Sequence, residues 1–466
     1  MKIHFLIACF SCGLIFSQEY MTGSIQYKEN DKIYPLEGAN VFWQDTSVGT
    51  STNGEGFFEL EKNPKNTLLV ISHFGFKTDT VKIKAAKKIN HFLTKALGEK
   101  LDEVIFTQKR KSIQKSFIET QNILKVSSEE LLKAACCNLS ESFETNPSID
   151  VNFSNALSGT RQIKMLGLSS PYILISEENI PMVRGASQAY GLTFTPGTWV
   201  ESIQISKGAG SVTNGFESIT GQINSELQKP SMDAPLFLNL YGSINGRYEV
   251  NMHTNYKLGD KLSVGLYTHA DKRSQKFDNN DDDFLDLPIS HQVNIMNRWQ
   301  YTNTEKGWIS LFSWRWMKDE KLLGSMDFIP SIHKGKLKKW GSEIEINRFD
   351  SSFKIGYVFP HVPYQSFGFQ SAFSTHDQQA YYGIRNYNIN QKSFYGNLLF
   401  NSIIGNTQNK FKVGINYSYD QYDEIVDGLQ YQRKDKNIGS FFELTHDNGY
   451  NFSCIAGVRL DLNNNL

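Results

Sequence analysis

From residue 234 onward, apolar and polar positions alternate with a period of two. In residues 411–420, Phe411, Val413, Ile415, Tyr417 and Tyr419 fall on one face, and Lys412, Gly414, Asn416, Ser418 and Asp420 on the other. Phe452, Cys454, Ala456, Val458 and Leu460 alternate with Asn451, Ser453, Gly457 and Arg459. Leu262, Val264 and Leu266 alternate with Ser263, Gly265 and Tyr267. Successive side chains of a strand point to opposite faces, so these runs predict long strands with one apolar face. A transmembrane barrel would turn that face to lipid and the other to a wet lumen. A soluble sandwich would turn it inward. About a dozen strands are expected between residues 236 and 460.

The first part of the chain is patterned differently. Residues 22–97 hold short alternating runs around Val41, Phe58, Leu69 and Val81, separated by turn signals at Glu37-Gly38, Asn53-Gly54, Asn63-Pro64 and Gly75. They predict a small β-sandwich. Residues 113–230 mix signals. Ser127 and Ser128 followed by Glu129 and Glu130 read as a helix start, and residues 140–143 as a short helix. Residues 161–167, 172–175 and 202–206 read as strands. A glycine-rich turn with Gly208, Gly210 and Gly215 then leads into a short strand from Gly221 to Asn224. Such glycines supply positive φ angles and close backbone approach. The predicted fold class is mainly β: a sandwich, an α+β unit and an antiparallel barrel, in part or whole.

Composition narrows the function. At 466 residues the chain exceeds one small domain. Its formal net charge of zero gives no electrostatic case for nucleic acid. No apolar run is long enough for a membrane helix, a test that barrels escape. Lys2 and the apolar residues 3–16 read as a signal peptide over residues 1–17. Its removal leaves Cys136, Cys137 and Cys454, too few for a disulfide framework.

Two stretches carry a resemblance. The order PLEGANVFW, GTSTNGEGFFEL, LLVISHFGFKT resembles the regulatory-like sandwich first described in carboxypeptidases. No His-x-x-Glu or His-Glu-x-x-His accompanies it, so no zinc peptidase is implied. The segment CCNLSESFETNPSIDVNFSNALSGTRQIKMLGL, with GTWVESIQISKGAGSVTNGFESITGQIN, resembles the plug of TonB-dependent outer-membrane receptors of Bacteroidetes type. The resemblance implies a plug over 113–230 and a barrel over 234–466, of which this chain holds the N-terminal portion. Its plug motif maps to Arg161, Gln162, Met165, Gly167, Pro181, Gly208, Gly210, Gly215, Gly221 and Asn224. Within residues 101–112, the run Asp102, Glu103, Val104, Ile105, Phe106, Thr107 is similar to a TonB box. Such a strand pairs in trans with a sheet edge, here that of TonB.

The implied function is energy-coupled import of a scarce ligand through the outer membrane, with the sandwich and TonB box in the periplasm. The implied ligand is a metal chelate such as a siderophore, or a copper or heavy-metal species. One alternative is an oligosaccharide importer with a surface lipoprotein partner. Another is a degenerate, non-transporting surface protein. Nothing resembles a nucleophile with its base or a nucleotide loop, so no enzyme is expected and no cofactor is required. Cys136 and Cys137 are candidate soft-metal ligands, helped by Met165 or Met182. His253, His269 and His291 are candidate lumen contacts for a chelate. Residues 278–286 (DNNDDDFLD, from Asp278 to Asp286) suit calcium by oxygen content but lack the EF-hand glycine and glutamate, so a solvated loop is expected. Plugged transporters have roughly 22 strands, and the pattern stops at DLNNNL. The expectation is a truncated product, a fragment or an unusually small barrel.

Overall fold

The computed structural model describes residues 20–29, 32–46, 48–62, 67–83, 88–94, 113–115, 123–128, 138–143, 149–155, 160–362, 364–449 and 452–465. The signal-peptide segment, the TonB-box run 102–107, Glu129 and Glu130 of the expected helix start, and Cys136 with Cys137 lie outside these residues, while Ser127, read as part of that helix start, is instead the last residue of a strand. The chain divides into two compact units, the first essentially residues 1–108.

In the first unit, β1 (Tyr20–Glu29), β2 (Lys32–Pro35), β5 (Phe57–Glu61) and β8 (Lys88–Phe92) form one sheet. β3 (Asn40–Trp43), β4 (Gly49–Ser51), β6 (Leu68–Ser72) and β7 (Asp79–Lys82) form another. Their inner residues Met21, Ile25, Val41, Trp43, Phe58, Leu60, Leu69 and Ile71 make one core. β1 departs from the short-run pattern: it is long, Met21, Gly23 and Ile25 share its buried face, and Ser24 is buried on the opposite one.

The plug-like segment of the second unit contains β9 (Ile113–Lys115), β10 (Ile123–Ser127), β11 (Asp150–Asn155), β12 (Thr160–Met165), β13 (Leu168–Ser169), β14 (Ile173–Glu177), β15 (Ile180–Pro181), β16 (Val200–Lys207) and β17 (Gly221–Leu227), with the short helix α1 (Leu139–Ser142). β14, β15, β16 and β17 share a sheet with β9 and β10, in the order β15-β14-β17-β16-β10-β9. β14 runs parallel to β17, and β16 antiparallel to it. Ile163, Ile173, Ile175, Trp199, Ile203 and Ile223 form its core.

The rest is one antiparallel meander of eleven strands: β18 (Leu236–Gly242), β19 (Arg247–Lys257), β20 (Leu262–Arg273), β21 (Ile289–Asn303), β22 (Trp308–Gly324), β23 (Gly341–Val358), β24 (Ser366–Tyr382), β25 (Arg385–Ile404), β26 (Asn406–Val426), β27 (Leu429–Asp447) and β28 (Ser453–Asn463). A helical turn, α2 (Pro330–His333), lies between β22 and β23. Burial along these strands is the reverse of a soluble sheet. On β26 the apolar Ile415 is 56% exposed and the polar Asn416 5%. Leu238, Trp316, Phe353, Phe373, Leu398, Ile438 and Leu460 are likewise exposed, whereas Asn251, Asn294, Arg298 and Asp420 are buried. An apolar outer face with a polar inner one is the lipid-facing barrel arrangement.

The buried polar face packs on the plug-like segment. Tyr267 and Met296 of the sheet join the core around Trp199. Met182, Tyr190 and Phe194 pack against Met317, Leu323, Ile344 and Ile346. The sheet therefore uses its inner face as a socket.

Candidate functional site

The contact between socket and segment centres on one turn. β14 and β15 pair through Glu177 and Ile180, so Glu178 and Asn179 alone make the connection. Both have positive φ, 52° and 63°, as a two-residue type I′ hairpin requires. Asparagine tolerates that region, whereas glutamate has no local reason to be there. The turn is fixed from behind by β17. Glu178 donates its amide to the Ser225 carbonyl at 2.7 Å, and Asn179 donates its amide to Asn224 Oδ1 at 2.7 Å. Ser176 Oγ also donates to Asn224 Oδ1, at 3.1 Å.

From the front the turn meets cations of the sheet. Arg298 Nη2 lies 2.5 Å from Glu178 Oε1, and Lys354 Nζ 3.4 Å from Glu178 Oε2. Lys354 also donates to the Glu178 carbonyl. Arg315 Nη1 reaches Glu177 Oε2 at 3.2 Å and Thr195 Oγ1 at 3.3 Å. Asp350 accepts from Arg315 Nη2 at 3.0 Å and pairs with Arg348 at 2.8 Å. Burial alone would hold Glu178 protonated, but the Arg298 and Lys354 charges outweigh it and bring its pKa down to about 2. Glu178 is therefore a carboxylate at any physiological pH.

A second contact lies further along. Burial disfavours the Arg184 charge, but Glu217 and Asp420 more than restore it and raise its pKa. Arg184 reaches Asp420 at 2.5 Å and Glu217 at 3.5 Å. Beside it, Gly185 approaches β25 and β26 closely. With φ of 58°, a Cβ there would sit 2.6 Å from the Tyr422 hydroxyl and 2.7 Å from Gln391. Ala186 donates its amide to Gln391 Oε1 at 2.8 Å.

Cavities flank these contacts. One of about 840 Å³ lies between the polar face of β16 and β17 (Gln204, Gln222, Asn224, Glu226) and the wall residues Lys354, Gln370, Lys412 and Glu443. A small one of about 80 Å³ is lined by Glu177, Arg184, Arg315, Arg348 and Asp350. Glu178 lines both. A third, of about 290 Å³, is lined by Tyr190, Tyr382, Tyr387 and Tyr422 with Gln188 and Arg433.

The motif residues read from sequence support this site without forming it. Gln162 donates to the Ser170 carbonyl at 3.2 Å. Arg161 lies on β12, Gly167 is in the β12–β13 turn at φ 82°, and Pro181 pairs with Ser176. Met165 is buried where a Cβ on Gly221 would strike it. The Gly208 amide donates to the Thr220 carbonyl at 2.8 Å and that of Gly210 to Ser218 Oγ at 3.0 Å, while Gly215 holds φ 115°. Asn224 is the motif residue whose side chain accepts a hydrogen bond from the turn. Met182 faces Arg315, with Sδ 3.4 Å from Nη2.

His253 and His269 are buried on the inner face and already partnered, His253 by Asp233 at 2.6 Å and His269 by Asn251 at 2.8 Å. His291 is exposed and alternates with the buried inner residues Gln292 and Asn294, which places it on the outer face, away from any lumen. In the 278–286 loop, Asp278 accepts from the Asp282 and Asp283 amides at 3.2 and 2.9 Å, and Asp286 from Asn279 at 2.9 Å. Among the described residues, no group of three His, Cys, Asp or Glu side chains is placed to hold a metal.

Comparison with known proteins agrees with this architecture. Residues 21–106 match the family profile of the CarboxypepD_reg-like domain, and residues 118–222 that of the TonB-dependent receptor plug domain. The chain is homologous to the TonB-dependent receptor P39 of Formosa agariphila, 24% identical over 313 residues, covering 62% of this chain and 28% of that protein. The fold is similar to that of the ferripyoverdine receptor FpvA of Pseudomonas aeruginosa (TM-score 0.61, 13% identity, 74% of this chain and 52% of that one). It is also similar to the copper transporter OprC (TM-score 0.59, 12% identity, 75% and 55%). The ferric yersiniabactin receptor FyuA of Yersinia pestis gives a TM-score of 0.55 at 13% identity, over 74% and 61%. The chain thus combines a CarboxypepD_reg-like domain, a TonB-dependent receptor plug and the barrel-type sheet of that receptor fold. It spans about half the length of FpvA and OprC and 28% of P39.

Proposed function

We propose that this chain is part of a TonB-dependent outer-membrane transporter that imports a scarce metal chelate by rearranging its plug. The observation that carries the reading is the plug held by buried ion pairs inside a sheet whose apolar face points outward. A plug pinned in this way blocks passage until something moves it. Ligand binding favours one plug state only through differential affinity for it. The run 102–107 then pairs with TonB by strand addition, and pulling on it displaces the plug. No bond in the ligand is broken, and no cofactor is needed.

The test is uptake of radiolabelled iron chelates by cells with and without the gene, in backgrounds with and without TonB. The expected result is uptake of at least one chelate that requires both. Uptake that is the same in all four strains contradicts the reading. The tyrosine-lined cavity supports a second reading, because amphipathic rings with nearby amides also suit sugar rings. In that case growth on an oligosaccharide, and not on an iron chelate, would require the gene.

A further inference from the structure

Four cations on three neighbouring strands of the sheet face the plug: Arg298 on β21, Arg315 on β22, and Arg348 and Lys354 on β23. Their ion-pair partners are unevenly shared. The wall itself supplies Asp350, and the plug supplies Glu177 and Glu178. Once the plug moves away, the wall keeps all four positive charges and one carboxylate. A charge so buried must find a new partner or water.

Three further observations point to a ligand. Arg298 is fully buried, yet its Nε and Nη1 have no hydrogen-bond partner among the described residues. A guanidinium presents its donors in a fixed fork that matches carboxylate and phosphate oxygens, and here part of the fork is unused. Glu178 stands at positive φ, where asparagine or glycine fits better, so its carboxylate and not its backbone preference accounts for its place. Glu178 also lines both the 840 Å³ cavity and the 80 Å³ cavity.

We propose that Glu177 and Glu178 occupy an anion site of the barrel wall, built by Arg298, Arg315, Arg348 and Lys354, and that plug movement frees this site for an anionic ligand in transit. The ligand class is one bearing carboxylate or phosphate-like oxygens. The plug acids hold the site while it is closed, and the cargo replaces them when it opens. This rests on the import reading and adds the charge of what is imported.

The experiment uses the full-length protein in planar lipid bilayers under a potassium chloride gradient. Urea is added at concentrations that loosen the plug while the strand signal in circular dichroism persists. Openings of the wild type are expected to favour chloride over potassium, shown by the sign of the reversal potential. Citrate, as a carboxylate probe, is expected to reduce the open current. K354Q, at a partly exposed position, should shift the reversal potential toward zero, and R298Q/K354Q further still. E177Q/E178Q should open at lower urea with chloride preference retained. Openings that favour potassium or neither ion overturn the proposal, as does a preference unchanged by K354Q. A wild type that never opens also overturns it, since no plug movement then exposes the wall. The bilayer needs neither TonB nor the natural ligand. A failed uptake assay and a failed selectivity assay are therefore separate outcomes.

Discussion

Glu178 carries a local cost and a tertiary gain. Its left-handed backbone is unfavourable for a residue with a Cβ, and Arg298 offsets that cost through a buried ion pair, to which Lys354 adds a partly exposed one. Removing one partner of a buried pair costs about 3–5 kcal/mol. E178Q is therefore expected to lower plug stability by roughly that amount, read as a lower urea midpoint for exposure of the plug to protease. The pH dependence follows from the lowered pKa. The folded carboxyl titrates at about 2 against an ordinary 4.5. Its contribution is thus fully present above about pH 4.5 and is lost as pH falls toward 2. The protection factor of the Asn179 amide against hydrogen exchange, its rate divided into the intrinsic rate at each pH, should fall across that window in the wild type and not in E178Q. Gly185 is a second sensitive position. G185A meets both a positive φ and the Tyr422 hydroxyl, and should cost about 1–3 kcal/mol in the same protease assay. Pro181, beside the turn, was legible as part of a motif. The charge role of Glu178 was not, because its partners lie 120 and 176 residues further along the chain. Asn224 was legible as the end of a motif, and the structure shows it gripping that turn.

At the scale of elements, the period-two pattern was the strongest signal, because each barrel strand is read by its own two faces. Residues 411–420 fall within β26 with the predicted faces, and about a dozen expected strands compare with eleven among the described residues. The pattern leaves open which face is buried, since a sandwich and a barrel share it, and burial decides for the barrel. Placing arginine at the lipid face should then cost about 2–4 kcal/mol near the bilayer midplane. I415R is expected to reduce folded protein in bilayers by that margin, measured by heat-modifiable migration. A soluble sheet would tolerate arginine at such an exposed position. Short strands were less legible. β1 was not singled out because Gly23 interrupts the apolar side formed by Met21 and Ile25, and its pairing with β8 is parallel and 66 residues away. His291 shows the converse limit: a histidine on a strand is placed by parity, and parity puts it outside.

At the scale of the molecule, the two units carry separate expectations. The first is a sandwich with its own core. The second is a plug and sheet that share one, through Tyr267 and Met296. The shared core makes the plug part of the sheet's stability, so displacing it requires work, which is what the proposed energy-coupled import demands. The central claim is that the sheet faces lipid outside and the plug inside. It is tested most directly by spin labels placed singly at residues 411–420, in full-length protein with Cys136, Cys137 and Cys454 replaced by serine, reconstituted in liposomes. The account predicts a two-residue alternation, with labels at 411, 413, 415, 417 and 419 accessible to oxygen and shielded from a water-soluble nickel reagent. Equal accessibility at all ten positions, or nickel access at the odd ones, would contradict it.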